Sequence, residues 1–524
     1  MADDQTMVKR VSGPGQWTNW HETVSGPIKG IDKISYPSDN PPYGADAINR
    51  CTAQLQRAIA AAKAAGEPYR AVGRGWSLSD APYVDGLLLD NSLLIGRKRL
   101  RADQVDPDYR GSAQARDGLC LIQSGTYVSE LNAWLESDPI GLSLRTSGAA
   151  NGQTIAGAMS TGIHGSALDV GAFHDHVVAI HLLAGPARQV WLERAGYPVL
   201  KPTMAQSLGA ELIRDDDMFN AVLVGLGAFG VIHNVVIEAR PRFTLRAYNY
   251  GTDRNGQRLT LNPAVRQRIK ELDFAASPEL NPVGENGRPY FFQPIINPNV
   301  NPPDVLITQM YEQPWPAGYR PDYRTRQDGF GPGFDFISVA GRALDLFRNL
   351  VPLFANLVSQ QMFKLGLTTG SWGEIFGYKT MRTKVASGSV AVPAARVLDA
   401  LDALIALNKE IGPVPLVFGC RYQRKSPALL AINRWDPTAV ISIDGIYNPS
   451  SLKFLDAVPA RMEAKGIPFA QHWGKINGYT PARVEAAFGQ DRDKWLAARH
   501  ALLPDPVDRV LFENDFVRRA GLAG

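Results

Sequence analysis

Cysteine is scarce in this chain: 524 residues contain three, Cys51, Cys120 and Cys420, far apart and in no CxxC pair. An odd, dispersed set supports neither a disulfide framework nor a thiolate zinc site, so buried thiols in a reducing compartment are expected. Long apolar runs are also missing; none reaches the roughly 18 residues that a membrane-spanning helix needs. The opening stretch MADDQTMVKR has no apolar core of a signal peptide, and a cytoplasmic location is expected. Charge of one sign is absent as well. The 55 basic and 51 acidic residues leave a net charge of +4, spread along the chain, which excludes the clustered basic face of a nucleic-acid binder. There is no Walker A sequence, internal repeat or low-complexity tract. His174, His176 and His181 lack a completing ligand set, with only Asp175 between the first two, so they read as ordinary strand residues and no metal is expected. Asp215-Asp216-Asp217 reads as a helix start.

What is present suits a globular enzyme of two or three domains: 45% hydrophobic and 20% charged residues. Residues 1–45, rich in Gly, Pro and Trp, read as irregular. An Ala-rich helix is predicted from Ala47 to Ala65, ended by Gly66. Strands are predicted at 69–72, 87–90 and 119–124, and a helix from Val128 to Leu135. A hairpin follows at 177–183 and 189–193, then a helix at 218–224 and a strand at 231–239. Beyond Phe243 the character changes to aromatic strands such as Tyr290-Phe291-Phe292, Pro-rich loops and a helix at 394–409. The apolar segment 343–367 reads as a buried helical hairpin, or else a lid.

Three glycine-rich segments stand out. Gly225-Leu226-Gly227-Ala228-Phe229-Gly230 fits GxGxxG, but a helix precedes it and a strand follows. That order is the reverse of a dinucleotide fingerprint, so a tight helix-to-strand connection is expected. Val72-Gly73-Arg74-Gly75-Trp76-Ser77 is a strand running into a tight turn. Residues 147–166 are almost all small side chains, so something approaches the backbone closely. Turn N–H groups of this kind form anion-binding concavities, and two such segments could grip a pyrophosphate; tight packing turns are the alternative.

These segments, in this order, resemble the vanillyl-alcohol-oxidase-type (PCMH-type) flavoproteins, most closely their sugar-lactone and alditol oxidase branch. Trp17-Thr18-Asn19-Trp20 is similar to W-x-N-W, VGRGWS to VGxGHS, and QTIAGAMSTGIHGS (153–166) to Q-T-I-A-G-x-x-x-T-G-x-H-G-S. GLGAFGVI (225–232) and Gln471-His472-Trp473-Gly474-Lys475 match two further segments. Some cap features resemble the related cholesterol oxidases. The resemblance implies an α+β fold: a two-subdomain FAD-binding domain (31–243) after an N-terminal extension (1–30), an α+β cap on an antiparallel sheet (244–470), and a C-terminal segment (471–524) returning to the flavin domain. It implies FAD held by Val72, Gly73, Arg74, Gly75, Trp76, Ser77, Ser147, Gly148, Gln153, Thr154, Gly157, Ala158, Ser160, Thr161, Gly162, His164, Gly165, Gly230, Ile232 and Lys475.

The departures are informative. The branch often attaches FAD through the histidine of VGxGHS, where this chain has Trp76; indole cannot form that bond, so non-covalent FAD is expected. The cap's E-x-R becomes Gly419-Cys420-Arg421, which keeps the cation and loses the carboxylate. That points to a substrate less polar than a sugar alcohol. Small residues around Ser147-Gly148 leave an oxygen route open. The resemblance thus implies an oxidase that moves hydride from a hydroxyl-bearing small molecule to flavin and reduces O₂ to hydrogen peroxide. Arg421, His472 and Lys475 are the catalytic candidates: two cations for developing negative charge and an imidazole that could shuttle a proton. A dehydrogenase using a quinone or cytochrome, and a flavin-binding protein without catalysis, are the alternatives.

Overall fold

The computed structural model describes residues 7–35, 43–148, 150–323, 366–377 and 384–524. Three sheets carry the architecture. The first has four strands in the order Met7–Ser12, Gly30–Ser35, Leu87–Asp90, Tyr69–Val72. Gly30–Ser35 and Tyr69–Val72 both run parallel to the central Leu87–Asp90. The helix Ala45–Ala64 buries Ile48, Cys51, Leu55 and Ile59 along one stripe. Gly66, at φ +67°, lets the chain turn back into Tyr69–Val72.

The second sheet has six strands: Glu211–Arg214, Gln189–Glu193, Val177–Leu183, Val231–Glu238, Leu119–Gln123 and Arg97–Arg99. Its hairpin Val177–Leu183/Gln189–Glu193 is antiparallel, as the spacing predicts. Asp215 caps the helix Asp216–Leu223 by accepting from the Met218 N–H. That helix hands over through 224–230 to Val231–Glu238, so the glycine run is a helix-to-strand connection. Gly230 must be glycine there: φ is +122°, and a Cβ would sit 2.1 Å from the Leu183 carbonyl oxygen.

The third sheet has eight strands, all antiparallel in their pairings, from Gly366–Ser371 at one edge to Ala470–Gln471 at the other. Leu416–Gln423, Thr438–Ile446 and Val385–Pro393 are consecutive neighbours in it. One face, with Phe418, Cys420, Tyr422, Ile441, Ile443 and Val390, forms its own apolar core with the helices Pro263–Glu271, Val397–Ile411 and Pro449–Ala464. The fold is therefore α+β, a flavin-domain architecture with an antiparallel cap. The C-terminal helices pack back on the first core through Trp495, Leu502, Phe512 and Phe516.

Two expectations fail. Residues 1–45 are not irregular: they hold four strands, Met7–Ser12, Gly15–Thr18, Ser25–Ile28 and Gly30–Ser35. The last of these pairs with Leu87–Asp90, more than fifty residues away, so no local pattern announces it. His174 and His176 lie in the single turn Phe173–His176 rather than on a strand; only His181 is in one. Among the described residues no helix is long and apolar enough to cross a membrane. Of the apolar segment 343–367, residues 343–365 lie outside the described residues.

Candidate active site

One cavity of about 280 Å³ lies where the first two sheets meet the cap. The strand Tyr69–Val72 delivers the turn Gly73–Ser77 to its wall. Gly75 has φ +62°, and a Cβ on Gly73 would lie 2.2 Å from Thr154 Oγ1, so the turn is pressed against the N-cap of the helix Ile155–Ser160. Among the described residues, the N–H groups of Arg74, Gly75, Trp76 and Ser77 donate no hydrogen bond. They remain available to an anionic ligand, as a nest requires. Gln153 lines the cavity with a buried Oε1 that has no partner. A bound polar group would satisfy it. Free turn amides, side-chain-free glycines and an orphan amide oxygen along one groove are the features that a dinucleotide cofactor such as FAD requires.

Of the residues expected at the cofactor, the cavity is lined by Val72, Gly73, Arg74, Gly75, Trp76, Ser77, Gly148, Gln153, Thr154, Gly157, Ala158, Ser160, Thr161, His164, Gly230, Ile232 and Lys475. Ser147, Gly162 and Gly165 are not among the lining. Ser147 Oγ instead accepts the Trp372 indole N–H at 3.0 Å. Gly165 backs onto Thr146, whose Oγ1 a Cβ would meet at 2.3 Å, and Gly162 serves a left-handed turn at φ +71°. Trp76 stacks on Trp20 with centroids 5.8 Å apart and leaves no room for a Cβ on Gly152. Cys120 is buried in its strand away from the cavity, its thiol pushed up to about 12 by burial. Trp76 lines the cavity, whereas Phe291 and Phe292 of the aromatic strand belong to the two cores.

Arg421, His472 and Lys475 come together at the cap end, on the same cavity. The segment carrying the last two is tied to the glycine turn: the Leu78 N–H donates to the Gly474 carbonyl at 2.8 Å, and Ser79 Oγ to that of Trp473 at 2.7 Å. Trp473 is locked between Tyr479 and Phe488. His472 Nδ1 accepts the Gly474 N–H at 3.0 Å, which leaves the ring proton on Nε2. Burial first, then the Lys475 and Arg421 cations, pushes this imidazole down to about 3. His164 faces it with ring centroids 5.4 Å apart and is held neutral by burial and the same charges. Its Nδ1–H points to the Gly165 carbonyl at 3.3 Å, so its lone pair is on Nε2. Both rings are thus held neutral near neutral pH, where an imidazole can accept a proton but carries none to give up as an acid.

Lys475 Nζ donates to Asp444 Oδ1 at 3.2 Å and approaches Ser442 Oγ at 3.4 Å. Burial lowers its pKa, and Asp444 counters that. Asp444, Ser387, His21 and Arg70 line the cavity but escape the sequence reading. The first two had a signal: Ser442 and Asp444 alternate with isoleucines in Thr438–Ile446, and Ser387 and Ser389 alternate with Ala386, Gly388 and Val390. Arg70 looks like a strand residue, yet its guanidinium is buried and donates to the carbonyls of Ala81, Phe512 and Leu226. Burial, with Arg499 nearby, lowers it to about 9. Away from the cavity, His174 bonds Ser426 at 3.0 Å, His176 lies 3.1 Å from the Thr146 carbonyl, and His181 bonds Gln189 at 2.9 Å.

Residues 46–193 match the family model of the FAD binding domain. An L-gulono-1,4-lactone dehydrogenase of Mycobacterium tuberculosis is 25% identical over 516 residues, covering 96% of this chain and 98% of that protein. L-gulonolactone oxidase 3 of Arabidopsis thaliana is 36% identical over 133 residues, 25% of this chain and 20% of that one. Among solved structures, cholesterol oxidase from B. sterolicum superimposes with a TM-score of 0.65 at 14% identity, over 98% of this chain and 97% of that one. At that identity the likeness is one of fold.

Proposed function

We propose that this chain is a vanillyl-alcohol-oxidase-type flavoprotein with FAD as its cofactor, and that it acts as an oxidase of a hydroxyl-bearing small molecule. The observation that carries this reading is one continuous cavity with two unlike ends: glycine turns with free amides at one, Arg421, Asp444, His472 and Lys475 at the other. FAD held along Gly73–Ser77, Gln153–Thr161 and Gly230–Ile232 would supply a hydride acceptor that hands its electrons to O₂, giving hydrogen peroxide. The protein's own contribution is positioning and charge. Lys475 and Arg421 stabilise negative charge developing on the substrate oxygen. The hydroxyl proton released as hydride leaves would pass to the lone pair at His164 Nε2, while neutral His472 presents its Nε2–H as a further donor. Trp473 excludes water behind them, fully buried.

Dioxygen as acceptor is supported at Gly148, which lines the cavity without a side chain; a Cβ there would strike Ile163 at 2.4 Å. The second reading, a dehydrogenase, draws on the full-length mycobacterial relative, which is named as one. One experiment separates them. The purified FAD-loaded protein is reduced anaerobically with gulono-1,4-lactone or a polyol, then mixed with air or with a quinone analogue. Rapid reoxidation by air with stoichiometric peroxide is the expected result. Slow reaction with air and fast reaction with the quinone would establish the dehydrogenase. A flavin that no alcohol bleaches would sink both.

A further inference from the structure

Gly419 removes the carboxylate from the Arg421 strand, but the face that Arg421 occupies still has one. Residues paired across an antiparallel sheet share a face. Arg421 pairs with Val440, Gly419 with Ser442, and Val417 with Asp444; on the other side Ser389 pairs with Ser442 and Ser387 with Asp444. One sheet face thus presents Arg421, Ser442, Ser389, Asp444 and Ser387 to the cavity side, while Phe418, Cys420, Ile441 and Ile443 point into the helical core. The row between Arg421 and Asp444 holds Gly419, Ser442 and Ser389, so only small side chains separate cation and carboxylate.

Asp444 is 5% exposed and lines the cavity. Ser387 Oγ and Lys475 Nζ both donate to its Oδ1. Among the described residues, Oδ2 accepts nothing. A buried carboxylate is costly unless both oxygens are bonded. Ser387 and Lys475 both occupy Oδ1; Oδ2 is left toward the cavity, where a substrate hydroxyl would donate to it.

We propose that Asp444 is the substrate-binding carboxylate of this site, moved one strand over from Gly419: Oδ2 accepts a hydroxyl neighbouring the one oxidised, while Oδ1 positions Lys475. This rests on the oxidoreductase reading above and deepens it. The substrate is a polyhydroxylated small molecule, with at least two hydroxyls on adjacent carbons, rather than the less polar alcohol that Gly419 alone suggests.

The test uses the FAD-loaded full-length chain and two five-carbon probes, xylitol and 1-pentanol, with gulono-1,4-lactone as a third. Flavin bleaching is followed anaerobically. For the wild type, KM for at least one polyhydroxylated probe should lie about tenfold or more below that for pentanol, the discrimination expected when a site is built to bond a hydroxyl. Asp444→Asn should raise that KM about tenfold or more, with a much smaller change for pentanol. Asp444→Ser combined with Gly419→Glu should recover most of the loss. Equal losses for all probes, or a fall in kcat with KM unchanged, would reduce Asp444 to a support for Lys475 and overturn the proposal. So would a wild type that prefers pentanol, a comparison that decides the matter even where the variants do not retain FAD. An active wild type with an indifferent D444N fails this inference alone; a wild-type flavin that no probe bleaches fails the parent reading with it.

Discussion

The two ends of the cavity recognise their ligands by opposite means. At the proposed flavin end the working groups are backbone amides, and the sequence contributes by omitting side chains: Gly73, Gly75, Gly157 and Gly230. At the cap end the backbone is tied up in the sheet and only side chains are available: Arg421, Asp444, Ser387 and Lys475. A site made of backbone tolerates exchange of its neighbours, such as Trp76 for histidine, but not an added Cβ. A site made of side chains tolerates little at its polar positions and can move a charge to the adjacent strand.

The sharpest way to break this contrast is at Gly230. Gly230→Ala forces a Cβ against the Leu183 carbonyl at φ +122°. It should cost roughly 3 kcal/mol or more of stability and abolish FAD retention, read from the melting temperature and the ratio of visible to 280 nm absorbance. A stable yellow G230A would mean that the wall is not backbone-limited. Next comes Lys475→Met. FAD should stay bound while the rate constant of anaerobic bleaching falls about a hundredfold, and a KM effect alone would put Lys475 outside the reacting centre.

The third probe is acid. His472 is depressed to about 3, and His176 and His181 to about 4, all chiefly by burial. Each is neutral when folded and takes up a proton near pH 6.5 when unfolded. Their contribution is therefore complete above about pH 6.5 and is lost as pH falls toward 4, by about 1.4 kcal/mol per histidine for each unit. Melting temperature should fall steadily between pH 6.5 and 4.5, and replacing His181 by Gln should shallow the slope; an unchanged slope would remove that histidine from the account. The smallest effect is expected at Trp76. Trp76→Phe keeps an aromatic face against Trp20 and should change FAD affinity about threefold or less. Acid precipitation of the wild type should release its yellow colour to the supernatant, and colour retained in the pellet would reveal a covalent bond.

The flavin end was legible because its signal is compositional. A run of small residues and a strand ending in Gly-x-Gly stand out in one dimension, as do the Ala-rich helix and the reversed GxGxxG. The cap end was legible only in part. Arg421, His472 and Lys475 could be picked by resemblance; the alternation around Asp444 shows a two-faced strand, but that it faces Ser387 and shares a face with Arg421 requires the pairing of three strands. The same limit hid the strand Gly30–Ser35, whose partner Leu87–Asp90 is distant in sequence, and it governs Phe291 and Phe292, since burial depends on which face of a strand is covered. His472 shows a further limit, because the depression of its imidazole comes from neighbours that the sequence scatters over fifty residues.

The bonds from Leu78 and Ser79 to Gly474 and Trp473, and from Arg70 to Phe512, give the cofactor site a direction in time. The glycine turn is made well before the residues that brace it, which follow 394 residues later for Ser79–Trp473 and 442 later for Arg70–Phe512. A growing chain can carry every glycine of the nest and still lack the wall behind it. Loading of FAD would thereby await the bracing segments: the groove closes only once the chain through Phe512 is in place.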